Sequence, residues 1–169
     1  MVTIRDYERR DAAQVGVLIA DTFRTFNLDY ASPEEQDLLL GPFRHARSAD
    51  PAHREAVAGL IEAPMVFVAE DEGRIVGVLR GSTGRLHSLF VAASRHGQGI
   101  GRRLVAHFEE ACLAQGAAKI TLSSSLYAVS FYARLGYKRS TGVRSGPCFD
   151  GEWFPYQPMK KVLSAKGPG

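Results

Sequence analysis

At 169 residues the chain is long enough for one domain with a sizeable core and short for two. It is 45% apolar and 23% charged, no apolar stretch approaches the ~20 residues of a membrane span, and the charged opening MVTIRDYERRD is unlike a secretory leader. A formal charge of +3 without a Lys/Arg run argues against nucleic acid and suits an anionic small ligand. Cys112 and Cys148 have no metal-ligand spacing, which excludes a cysteine metal site and points to a reduced, cytoplasmic setting.

A short strand is expected at residues 2–5, then a helix from Asp11 to about Phe26, with Asp11 as N-cap and Val15, Leu18, Ile19 and Phe23 as its apolar stripe. Ser32-Pro33 reads as a cap and first-turn pair for helical pieces near 33–41 and 51–63. MVFVAEDEGRIVGVLRGS predicts a hairpin turning at Asp71-Glu72-Gly73, and GRLHSLFVAA a third strand entered through Gly84. The following helix places Leu104, Val105, Phe108, Ala111 and Cys112 on one face and stops at Gly116. AKITLSS is a strand, LYAVSFYARLG a short helix ended by Gly136, and YKRSTGV and EWFPYQPMKKVL are two closing strands. Interleaved strands and helices predict an α/β (α+β) three-layer fold, a single domain over residues 1–163 with a frayed tail at 164–169.

Three alternating glycines, Gly97, Gly99 and Gly101, stand at the mouth of the fourth helical segment, within ASRHGQGIGRRLV. The first-turn amides of a helix lack intrahelical partners, and its dipole adds positive character there; glycines let a phosphate approach without a Cβ in the way. A dinucleotide fingerprint would need glycine at position 102, where Arg102 stands, and no Gly-Lys-Ser/Thr ending makes a Walker A loop. A pyrophosphate loop and a plain flexible turn both stay open on the glycines alone. So do phosphate contact and solvated surface for Arg102 and Arg103.

The segments LHSLFVAASRHGQGIGRRLV and LYAVSFYARLGY together resemble the two signatures of the GCN5-related N-acetyltransferase (GNAT) superfamily. The first is similar to its acyl-CoA pyrophosphate motif, Arg/Gln-x-x-Gly-x-Gly/Ala; the second to its Ala-x-x-Phe-Tyr-x-x-x-Gly-Phe segment. The order of elements over about residues 66–160 also resembles the family, whereas residues 20–64 match only as a generic helical insert. Two departures stand out: His96 occupies the Arg/Gln position, beside Arg95, and Ser125 stands where many members carry Asn.

The resemblance implies a mixed, mostly antiparallel twisted sheet with helices on both faces, and acetyl-CoA as co-substrate with no metal. Its pyrophosphate would lie on His96, Gly97, Gln98, Gly99, Ile100, Gly101 and Arg102. The backbone of Leu89, Phe90 and Val91, in a strand that carries a bulge and splays from the next, would hold the pantetheine arm, with Ser125 nearby. Tyr132 matches the general-acid tyrosine that protonates the departing thiolate, and it would border the cofactor. His87 matches a strand histidine that some members place here and is a candidate base. On an alternating strand it would share a face with Leu89 and Val91, unless a bulge between them turns the imidazole away. Acceptor contacts would come from the first two helices and the late strands: Phe26, Tyr30, Asp150 and Trp153, with Asn27, Asp29, Phe149, Glu152 and Tyr156 beside them. Their carboxylates and aromatics suit a cationic amine.

The expected partner is a small-molecule or peptide amine, with no nucleic acid and no membrane; a homodimer stays open. The main reading is direct transfer from acetyl-CoA to the amine in a ternary complex, and the alternative is a non-catalytic acyl-CoA sensor. Covalent catalysis is disfavoured. Cys112 falls on the core face of its helix, and Cys148 is expected in an exposed loop with no histidine nearby in sequence.

Overall fold

The computed structural model describes residues 1–149 and 153–164. Strand β1 (Thr3–Asp6) leads through a 3-10 turn into helix α1 (Ala12–Asn27), followed by α2 (Pro33–Leu40) and α3 (Pro51–Ile61). Then come β2 (Met65–Asp71), β3 (Arg74–Ser82), β4 (Arg85–Val91), α4 (Ile100–Ala114), β5 (Lys119–Ser125) and α5 (Val129–Arg134). Strands β6 (Lys138–Arg139), β7 (Arg144–Pro147) and β8 (Trp153–Val162) close the described chain. The strands form one sheet in the order β1-β2-β3-β4-β5-β8-β6, with β7 also on β8. Every pair is antiparallel except β4 and β5, which α4 connects as a crossover. This is the mixed, mostly antiparallel sheet that the sequence predicts.

The sheet buries both faces. Ile100, Leu104, Val105, Phe108 and Cys112 of α4 and Tyr132 of α5 pack with Leu79, Leu86, Ile120 and Leu122 on one side. On the other, α1, α2 and α3 contribute Val15, Ile19, Phe23, Leu40, Val57 and Ile61 against Val68, Val78 and Phe90. Helix α4 lies close because β3 offers glycine beneath it. A Cβ on Gly81 would fall 2.6 Å from the Arg85 carbonyl oxygen and 2.7 Å from the Phe108 ring. Cys112 is fully buried in this core, as its helical position predicts.

Some local expectations change. Asp11 makes no cap bond to α1. It is 4% exposed, and its carboxylate accepts Arg5 Nη1 at 2.8 Å, Arg5 Nη2 at 3.0 Å and the Glu8 amide at 2.8 Å. Ser32, by contrast, caps α2 as predicted: it accepts the Glu35 amide at 3.3 Å, and Glu35 returns a bond to the Ser32 amide at 2.8 Å.

The strand expected over YKRSTGV breaks off after Lys138–Arg139 (β6), and a further short strand, β7, forms beyond it at Arg144–Pro147, where a loop is expected. Pro158 of β8 explains the break. Ser140 N donates to Pro158 O at 3.1 Å, but the return bond is missing because proline has no N–H. The Gln157 side chain reaches across instead and donates to Thr141 O at 2.7 Å.

Candidate active site

Strand β4 holds the centre of the site. It pairs with β5 only at Arg85–Thr121 and Leu86–Leu122. Beyond that point β4 stays with β3 as far as Val91, opposite Gly77, while β5 stays with β8 as far as Ser125, opposite Tyr156. The two central strands therefore diverge. The edge of β4 from Ser88 to Val91 faces a wedge with no strand to pair among the described residues, and Leu89, Phe90 and Val91 line it.

The chain leaves this wedge through a turn at Ala93–Arg95 into the glycine loop. Gly97 and Gly99 have φ of 76° and 77°, the left-handed region that glycine adopts without strain. Gly99 is the N-cap of α4 and supplies no side chain to its amides. The first intrahelical bond runs from Arg103 N to Gly99 O at 3.0 Å, so the amides of Ile100, Gly101 and Arg102 have no helical partner. A Cβ at Gly97 or Gly99 would meet nothing within 4 Å, so this face of the loop is open. Gly101 differs, since a Cβ there would press on the Phe131 ring at 3.1 Å.

Charged neighbours hold the loop. Arg95 pairs with Asp71 at 2.5 Å, and the same carboxylate takes the N-terminal ammonium at 2.9 Å. Both cations hold the Asp71 carboxyl below its usual range, the N-terminal bond first. Arg103 donates to Val2 O at 3.0 Å, which turns it away from the loop. Arg102 is exposed and makes no ion pair among the described residues. His96 donates from Nε2 to Val91 O at 2.8 Å. Its ring stacks on Phe26 at 4.5 Å, and Phe26 stacks on Tyr127 at 5.3 Å. Phe26 thus joins the glycine loop to the turn after β5.

His87 is displaced from its expected face. Arg80 pairs with Ser88 and Gly81 with Leu86, so His87 is the extra residue of a bulge on β4. Cross-strand partners share a face. Leu79–Leu89 and Gly77–Val91 face α4, whereas Val78–Phe90, Arg80–Ser88 and Ser82–Arg85 face the α1–α3 side. His87 Nε2 lies 3.3 Å from Ser82 Oγ, which places the imidazole on the α1–α3 side, opposite Leu89 and Val91. Strict alternation fails because the bulge adds one residue to the pleat. The imidazole pKa is lowered by burial and then by Arg80 and Arg85.

Tyr132 is 5% exposed, edge-on to Phe131 at 5.1 Å and to Tyr137 at 5.7 Å, and burial raises its phenol above the usual range. Ser125 ends β5 at the wide end of the wedge. Of the residues expected at the acceptor, Tyr30 and Trp153 are exposed at 72% and 69%, in the α1–α2 connection and at the start of β8. Asp150 and Glu152 lie outside the described residues. Cys148 packs against the α1–α3 core instead of standing exposed, and burial pushes its thiol up to about 12. A thiol so far above neutral holds little thiolate.

The structure adds features that the sequence reading missed. Phe23 contacts Phe90, Phe149 and Phe154 at 6.2, 5.2 and 5.3 Å, and Phe43 contacts Phe149 at 4.9 Å, an aromatic wall beside the wedge. Arg80 and Arg85 flank His87. An arginine inside the apolar run of β3 was the available signal.

The chain belongs to the acetyltransferase (GNAT) domain family, whose pattern matches residues 30–163. Among solved structures it resembles a GCN5-related N-acetyltransferase from Rhodopseudomonas palustris, at 23% identity over 95% of each chain with a TM-score of 0.76. It also resembles the PaiA N-acetyltransferase from Thermoplasma acidophilum in complex with coenzyme A, at 14% identity over 96% of this chain and 99% of that one, TM-score 0.71. An aminoglycoside 6'-acetyltransferase type Ii shares 24% identity over 98% and 99% of the two chains, TM-score 0.62. No curated protein sequence matches the chain. At these identities the structural likenesses speak for the fold. No helix among the described residues is long and apolar enough to cross a membrane.

Proposed function

We propose that this chain is an N-acetyltransferase that moves the acetyl group of acetyl-CoA to a primary amine by direct attack in a ternary complex. One observation carries the reading: the wedge between β4 and β5 opens beside a loop whose helix-first amides have no helical partner and whose face at Gly97 and Gly99 is open. A backbone edge followed by an anion-binding helix start suits an extended amide arm ending in a pyrophosphate. The coenzyme-A complex of the Thermoplasma relative supports the same ligand class.

When bound, acetyl-CoA supplies an acetyl thioester. Backbone amides from Gly97 to Arg102 hold the pyrophosphate, with His96 and Gln98 shaping the loop and Arg102 adding charge. The β4 edge at Leu89, Phe90 and Val91 aligns the amide arm, and Ser125 offers one hydroxyl across the wedge. Tyr132, kept protonated by burial, gives its proton to the departing sulfur. His87, exposed but with its pKa lowered by partial desolvation and two arginines, takes the proton of the attacking ammonium, directly or through water. Phe26, Tyr30 and Trp153 border the acceptor's approach; Asp150, the fourth acceptor residue expected from the sequence, lies outside the described residues.

Release of free thiol from acetyl-CoA, followed against a panel of amines, tests the reading. Turnover that depends on an amine supports it. Saturable CoA binding with no turnover on any amine would make the chain an acyl-CoA sensor.

A further inference from the structure

The closed end of the wedge is cationic on the side where His87 points. Arg80 on β3 is partly buried and donates from Nε to Ile61 O at 2.8 Å, with Nη1 3.4 Å from Ser88 Oγ and Nη2 3.5 Å from Glu62 O. Arg85 on β4 donates from Nη2 to Ser123 Oγ at 2.7 Å and from Nη1 to Thr121 Oγ1 at 3.3 Å. Every one of these partners is neutral. Glu62, whose carbonyl reaches Arg80, sends its carboxylate to Arg9. Among the described residues no carboxylate pairs with either guanidinium. The other described arginines without a carboxylate are all exposed, whereas Arg80 and Arg85 are half-buried; Arg5, Arg9, Arg10, Arg24, Arg47 and Arg95 each hold at least one.

We propose that the acceptor is an amine that also carries an oxyanion group, a carboxylate or a phosphate, held by Arg80 and Arg85 while its nitrogen faces His87. The proposal rests on the acetyl-transfer reading of this site. Arg80, Ser82, Arg85, His87 and Ser88 share one face of two adjacent strands, so the anion and the amine belong to one small molecule, a few bonds apart. Desolvation works against the Arg80 charge, a cost that an oxyanion offsets. Guanidinium forks match carboxylate and phosphate oxygens, and the hydroxyls now on Arg85 are weaker acceptors that an oxyanion displaces. A polycation such as an aminoglycoside or polyamine would meet two positive charges where it must dock. That separates this site from one built for such acceptors.

The test uses full-length protein loaded with CoA or acetyl-CoA and matched acceptors: L-phenylalanine against 2-phenylethylamine, phosphoethanolamine against ethanolamine, and spermidine. The aromatic pair suits Phe90, which follows Ser88 on the same face. One readout is kcat/KM for thiol release. The other is calorimetric binding of N-acetyl-L-phenylalanine and N-acetylphosphoethanolamine to the CoA-bound protein, which needs no turnover.

The expected result is a preference of at least roughly tenfold for the anion-bearing member of one pair, the scale of a hydrogen bond to a charged group. Which pair shows it distinguishes carboxylate from phosphate. Arg85→Gln should remove the preference mainly through KM, and Arg85→Lys should keep part of it. Arg80 also anchors the end of α3, so Arg80→Gln is read only in protein of unchanged CoA affinity. Transfer that favours 2-phenylethylamine, ethanolamine or spermidine leaves the acetyl-transfer reading standing and overturns the oxyanion acceptor. So does a preference that survives Arg85→Gln. CoA binding with no transfer and no binding of either acetylated anion overturns both.

Discussion

Tyr132 and His87 need opposite protonation states for the roles proposed here, and their surroundings supply them. Burial raises the Tyr132 phenol, so it carries a proton at neutral pH. Tyr132→Phe should therefore leave CoA affinity unchanged and lower kcat by roughly ten- to a thousand-fold, the range of a general acid. Equal turnover by the variant across pH would remove Tyr132 from the chemistry. His87 meets Ser82 from β3 and the charges of Arg80 and Arg85, all of which disfavour imidazolium or are neutral to it. If it is the base, kcat/KM should rise with pH through an apparent pKa below that of an ordinary histidine and then level off. His87→Ala should lose that limb and recover as alkaline pH supplies free amine. A variant with the wild-type profile would assign the proton to water or to another group.

At the scale of elements, the close seating of α4 on β3 depends on missing side chains. A Cβ at Gly81 would collide with a backbone carbonyl and with Phe108, neither of which can move alone. Gly81→Ala should cost about 1–3 kcal/mol, as over-packing does, seen as a lower urea midpoint at unchanged m-value. Most elements were legible beforehand because periodicity, the Ser32 cap and the terminal glycines are local signals. The glycine loop was legible for the same reason: its left-handed φ values need only Gly97 and Gly99. What escaped depends on partners remote in sequence. The bulge that turns His87 to the other face is fixed by pairing with Arg80 and Gly81, and strand alternation alone points the imidazole the wrong way. The break after β6 follows from Pro158 on a strand nearly twenty residues away. Asp11 reads as a cap until Arg5 is seen to claim both its oxygens. Arg80 stands out in the sequence only as an arginine inside an apolar run, and it becomes a site with Arg85 only when two strands bring them together.

At the scale of the whole molecule, the wedge joins two halves of the sheet held at its closed end by two residue pairs. A ligand that lies along β4 and ends on α4 binds only the folded arrangement. Acetyl-CoA at a hundred times its Kd should add about 2.7 kcal/mol of stability and raise Tm by roughly 5–10 °C. Gly99→Glu meets no neighbour at its Cβ but strains the backbone at a φ of 77°, so it is read only in protein whose unliganded fold is intact; there it should lose this shift because its charge opposes the pyrophosphate. Unchanged CoA affinity in that variant would overturn the loop assignment. Stability should also fall in acid, and for a traceable reason. Arg5 holds the Asp11 carboxyl below its usual range, with the Glu8 amide assisting, and Arg5 also reaches Glu70 at 2.6 Å. This network ties β1 to β2 and to the head of α1. A carboxyl whose pKa is depressed by folding contributes stability that is complete above its unfolded value, near 4, and disappears as pH falls through the lower folded value. Asp21, lowered by Arg47, and Asp71, lowered by the N-terminus and Arg95, act in the same direction. Urea midpoints should therefore stay level down to about pH 5 and then drop steeply below about pH 4. Asp11→Asn should lower stability at pH 7 and flatten the acid limb, because the variant has already lost the carboxylate that wild type loses in acid. An acid limb equally steep in Asp11→Asn would place the sensitivity in other carboxyls.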